Sequence, residues 1–142
     1  MLWAALLVVF FGFLWSGKLL ALQHSDILRR SEGYHLLIKA SKTDPFWRGA
    51  TVKLSISKDC ILCAVGALDH LLAASPSRQG PVFHFQNGTP LTRQNLNILI
   101  QELAGRSGIP PERYSSHSFR IGAASTAAAA GIPDWKIQAL GR

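Results

Sequence analysis

The stretch SSHSFRIGAASTAAAAGIPDWKIQALGR, residues 115–142, sets His117 and Arg120 three positions apart at the start of a helical pattern. On a helix that spacing puts both side chains on one face. The first turn of a helix also offers free backbone N–H groups and the positive end of the dipole. An arginine can hold two phosphate oxygens at once, and a histidine can donate a proton or hydrogen bond to another. The chemistry these residues suit is the binding of a phosphate. The plainer alternative is a surface His and Arg on an ordinary helix start.

A second candidate is the pair Cys60 and Cys63, in CILC. One CxxC can be half a zinc site or a redox pair, but no second CxxC or paired-histidine motif completes a metal site here. The chain runs on as AVGALDHLLAA, a helical pattern, so two buried small apolar residues in a first helical turn is the better reading. No metal is expected.

The third candidate is a run of charge. Arg29, Arg30, Lys39, Lys42, Arg48, Lys53 and Lys58 fall in one stretch of a chain whose formal net charge is +7. A basic balance of this kind fits nucleic acid or an anionic membrane surface. A solvated strand edge, where lysine and arginine are common, is the alternative.

These side chains need elements to hold them. YHLLIKA (residues 34–40) and ATVKLSI (residues 50–56) alternate like strands, joined by the turn-rich, basic SKTDPFWRG. They predict an antiparallel hairpin. Residues 18–30, KLLALQHSDILRR, read as irregular. Helical patterns follow over residues 60–74 and 92–106, the second capped by Thr92. SPSRQGP and QNGTP are loops around a short extended VFHF. Ser116 or Ser118 should cap the His117 helix, whose residues 123–130 are nearly all alanine and let neighbours approach closely. Gly131 suits its end and Pro133 the first turn of the last helix, DWKIQAL, which stops at Gly141. The whole is α+β, mainly α, and 142 residues suffice for one domain with a core.

The opening, MLWAALLVVFFGFLW, could pass for a signal or anchor. It has no basic residue before it, is short for a span, and ends in Ser16-Gly17-Lys18 without a small-residue cleavage pattern. A buried core helix fits these features better, and neither a membrane nor secretion is expected.

Taken together, SHSFRIGAASTAAAAGIPDWKIQALGR resembles the signature of the tyrosine recombinase (phage integrase) family. FFGFLWSGKLLAL resembles that family's first catalytic box and KASKTDPFWRG its β-hairpin with an active-site lysine. The wording of SKTDPF and HSFRIGAAS is most similar to recombinases of eukaryotic mobile elements. The resemblance runs over nearly the whole chain in the family's order. It implies a catalytic-domain fold over residues 1–142, a small antiparallel sheet packed on a helical core. It also implies that the family's last helix and its N-terminal core-binding domain lie outside this sequence.

The family cuts DNA with a tyrosine, through a 3′-phosphotyrosyl link, and reseals it to another strand without metal or nucleotide cofactor. By position, the resemblance assigns Lys42 as the general acid, His117 and Arg120 as the central pair, and Arg142 to a phosphate-supporting place. Arg29, Arg30, Lys39, Lys42, Arg48, Lys53 and Lys136 are the expected DNA contacts. Two features depart from the pattern. Trp15 stands where the first catalytic arginine is expected, with Lys18 in place of an acid, and neither Tyr34 nor Tyr114 matches the nucleophile.

The expectation is therefore a DNA-recombination domain that binds duplex DNA and, as this chain, does not cut it. Self-association on the DNA is left open, and no small-molecule substrate is expected. The location would be nuclear in a eukaryote and cytoplasmic otherwise. Two alternatives stay open: a non-catalytic helix-turn-helix DNA-binding module, and a small membrane-anchored protein.

Overall fold

A computed structural model describes residues 1–39, 49–75 and 77–141. The apolar opening forms α1 (Leu2–Gly12), which packs against the sheet and three other helices. Ala4 to Val9 are all buried, and only Trp3 and Phe11 of the helix are strongly exposed. A helix apolar on every side is stable in water only when surrounded, and this one is surrounded. No helix among the described residues is long and apolar enough to cross a membrane.

Phe13 ends α1 in the left-handed region (φ 52°), and the Leu14 amide closes the turn on the Val9 carbonyl. That conformation costs a non-glycine residue roughly 1–2 kcal/mol. It reverses the chain at once into α2 (Ser16–Leu20) and leaves the Phe13 carbonyl free to meet another part of the fold.

The segment expected to be irregular is ordered. After α2 comes a single 3₁₀ turn at His24–Asp26, then a strand, β1 (Ile27–Arg30). The sheet therefore has three strands, in the order β1, β2 (Gly33–Ile38), β3 (Ala50–Ser55), all antiparallel. The predicted hairpin is its β2–β3 half, with Tyr34 opposite Leu54 and Leu36 opposite Val52. Tyr34, Leu36, Ile38 and Leu54 face the core, as the alternation requires. Gly33 sits at φ 151°, where a Cβ would run into the Leu54 carbonyl, so the β1–β2 turn needs glycine.

The remaining helices are α3 (Ala64–Ala74), α4 (Arg93–Arg106), α5 (Ser116–Ala129) and α6 (Asp134–Leu140). Thr92 caps α4 as expected, accepting from the Asn95 amide at 3.1 Å. Helix α3 starts four residues later than expected. Cys60 is exposed ahead of it, while Cys63 is its buried N-cap, its Sγ accepting from the Gly66 amide. The two cysteines are thus not a buried pair in a first turn. Backbone donors lower the Cys63 thiol pKa against the opposing effect of burial. The cap of α5 is Ser115 rather than Ser116, with Ser118 answering it from inside the helix. The small residues of α5 let α1 approach: Ala123 and Ala127 are buried and Gly122 leaves room for the Phe10 ring. Gly131 follows α5 at φ 81°, and Pro133 is the residue before α6 rather than inside it.

Candidate functional site

Helix α5 begins at Ser116, so His117 is in its first turn while Arg120 is one turn further in. The two residues do different things. The His117 ring is exposed and stacks on Trp15, with centroids 5.5 Å apart and planes 22° from parallel. The Arg120 guanidinium lies 4.2 Å from the centre of the same indole. Its Nη1 donates to the Phe13 carbonyl at 2.6 Å, and its Nη2 donates to the Gly141 carbonyl just past α6. The left-handed turn at Phe13 presents the first of these acceptors. Burial lowers the pKa of Arg120 from its ordinary value, but a guanidinium stays charged in any protein setting.

Around them is a pocket of about 240 Å³, lined by Leu14, Trp15, Ser16, Arg93, Asn97, Ser115, Ser116, His117 and Arg120. Among the described residues the lining contains cations, hydroxyls and an amide, and no carboxylate. Asn97 of α4 accepts from the Ser116 amide at 2.9 Å, which fixes the N-termini of α4 and α5 side by side. Neither helix has an acidic residue in its first turn. The pocket therefore collects the positive ends of two helix dipoles along with its side-chain charges, an arrangement that favours an anion.

Next to this pocket, sharing Trp15 and Arg93 with it, is a larger cleft of about 750 Å³ that also carries Lys18 and Lys39. Lys18 donates to the Lys39 carbonyl at 3.0 Å, and the Lys39 ammonium pairs with the buried Asp26 carboxylate at 3.2 Å. Lys39 is thus near the candidate site but partly neutralised.

The other expected contacts are dispersed. Arg29 lies in a separate cleft, paired with Asp69 at 3.5 Å and stacked on Tyr34. Its Nη1 also donates to the Arg30 and Gly33 carbonyls. Arg30 is exposed on β1, Lys53 lines a third, small cleft beside Phe11, and Lys136 is exposed on α6. The described basic residues of the stretch 29–58 thus line several different clefts and surfaces. Lys42, Arg48 and Arg142 lie outside the described residues. No cluster of three or more metal-ligating residues occurs among the described ones.

Sequence reasoning missed Arg93 and Asn97. One signal was available for Arg93: it is the first residue of a helix, where a cation opposes the dipole.

The chain superposes on the XerH site-specific recombinase, solved bound to its difH substrate in a pre-cleavage complex, with a TM-score of 0.74, 20% identity and 96% of this chain covered. It superposes on the Tn1549 transposon integrase, solved with transposon right-end DNA, with a TM-score of 0.66, 16% identity and 97% covered. The chain has the tyrosine-recombinase catalytic fold. In sequence, this tyrosine-recombinase-like chain is 24% identical over 117 residues to an integrase/recombinase xerD homolog of Selenomonas ruminantium. That alignment covers 78% of this chain and 34% of the relative, and the XerH superposition covers 38% of XerH, so the chain spans little more than a third of either protein. No protein-family model matches it.

Proposed function

We propose that this chain binds the phosphates of duplex DNA through a recombinase-type pocket and does not cleave them. The observation that carries the reading is the pocket built by Arg93, His117 and Arg120 at the joined N-termini of α4 and α5, with no acid among the described residues that line it. The DNA partners of the structural neighbours support the choice of ligand.

Cleavage asks more of a site than binding. A pentacoordinate phosphorane needs positioned donors to offset its charge, a proton for the leaving oxygen, and a nucleophile in line. Trp15 occupies the place where the family resemblance calls for an arginine, and a neutral indole cannot offset that charge. Arg120 already spends its two amino groups on backbone carbonyls. The Tyr34 hydroxyl donates to Asp69 at 2.6 Å in the separate Arg29 cleft, and burial, followed by that bond, pushes its pKa up to about 12. A tyrosine held as a neutral donor, away from the pocket, is not a nucleophile for it. Tyr114 precedes α5 and does not line the pocket.

Fluorescence anisotropy with a labelled duplex of arbitrary sequence, titrated with salt, tests the binding. Each phosphate contact should contribute a slope of about −0.9 in log K against log salt. Binding that ignores salt, or no binding at low salt, would overturn the reading.

A further inference from the structure

The pocket holds two arginines, and they are not equivalent. Arg120 is tied at both amino groups to carbonyls and covered on one side by Trp15. Its charge contributes to the field of the pocket, while one N–H of each amino group is engaged by the fold. Arg93 is exposed, has no hydrogen bond or ion pair among the described residues, and lines both the pocket and the adjoining cleft. Its Nη2 passes beside Gly17, 3.7 Å from where a Cβ would stand, an ordinary van der Waals distance.

The position of Arg93 is also costly in isolation. It is the first residue of α4, its helix has no acid in the first turn, and the N-terminus of α5 with His117 lies alongside. A cation at the positive end of a helix, beside a second such end, is a local rule broken without compensation among the described residues. A bound anion removes that cost.

Resting on the duplex-DNA reading above, we propose that Arg93 is the main phosphate-gripping arginine of this site. It would supply from α4 the charge that Trp15 does not, and lead the DNA backbone from the pocket into the Lys18–Lys39 cleft. Arg120, by contrast, also positions the walls, through its bonds to the Phe13 and Gly141 carbonyls.

The test compares Arg93→Gln with Arg106→Gln, the same charge loss at opposite ends of α4, in salt-titrated duplex binding. Arg93→Gln should weaken binding about tenfold and reduce the salt slope by about one. Arg106→Gln should stay within about twofold of the parent. Adding Trp15→Arg to Arg93→Gln should recover most of the loss, because the charge returns to the same wall. Arg93→Lys, which keeps the charge without the fork, should fall between the parent and Arg93→Gln, and it guards against a folding artefact in the glutamine variant.

Equal effects of Arg93→Gln and Arg106→Gln, or no effect of Arg93→Gln on a parent that binds DNA, would overturn the assignment while leaving the DNA reading standing. A parent that fails to bind DNA at low salt would overturn both.

Discussion

Among the described residues two arginines lie against an aromatic ring, and their surroundings make them opposites. Arg29 sits 5.0 Å from the centre of Tyr34 and Arg120 sits 4.2 Å from the centre of Trp15. Arg29 has a carboxylate, Asp69, which also accepts from the tyrosine hydroxyl. The group is closed: one cation, one anion, one neutral donor. Arg120 has carbonyls and, among the described residues, no carboxylate, and it stands beside His117 and Arg93 in a pocket that no described acid lines. The first arrangement holds a sheet to a helix. The second leaves positive charge without a counter-ion among the described residues. Charge, rather than the presence of arginine and an aromatic ring, separates a structural contact from a place for an anion.

Removing Arg120 should have the largest effect. Its two charged hydrogen bonds join the α1–α2 turn, α5 and the end of α6. Hydrogen bonds from charged groups contribute about 1.5–3 kcal/mol each. Arg120→Ala should therefore destabilise the fold by roughly 3 kcal/mol in urea unfolding. A loss near zero would mean that the arginine is free to serve a ligand, and would collapse the contrast with Arg93.

The closed cluster makes a pH-dependent prediction. Tyr34 has a folded pKa of about 12, above its ordinary value of 10, so the fold favours its protonated form. That contribution is fully present below about pH 10 and is lost as pH rises toward 12. Tyr34→Phe should cost about 1 kcal/mol at neutral pH, by loss of the bond to Asp69, and should flatten the alkaline decline in stability. An unchanged alkaline decline would show that the tyrosine is not held as described.

The smallest effect is expected for Trp15. Its stacking on Arg120 is at a partly exposed site, with the indole 46% exposed. Contacts of this kind are worth about 0.5–1 kcal/mol. Trp15→Ala should lower stability by about that amount in the same urea assay. A loss as large as that for Arg120→Ala would make Trp15, and not the carbonyl bonds, the main anchor of the arginine.

The parts of this picture that were legible in the sequence are those fixed by neighbours along the chain. The alternation in residues 34–38, the cap at Thr92, the glycine at 131 and the HxxR spacing are all local, and each appears in the structure with small shifts of boundary. Strand β1 was missed because HSDILRR offers few alternating apolar positions, and its pairing with β2 depends on a turn that only Gly33 can make. The inward hook of Arg120 was invisible for a related reason: its acceptor at Phe13 is 107 positions away and is exposed by a left-handed turn at a phenylalanine. Arg93 entered the site only when α4 and α5 met. His117 and Arg120, adjacent in the sequence pattern, both line the pocket, and packing decided how each is engaged.

The central claim is that the site holds a phosphodiester without breaking it. The most direct measurement uses one labelled, nicked suicide duplex run on two gels with the same protein samples. The native gel should show a retarded complex at low salt that disappears as salt rises. The denaturing gel should show only free DNA from those lanes. A band of covalent protein–DNA adduct on the denaturing gel would contradict the account and place a nucleophile, Tyr34 or Tyr114, back at the phosphate.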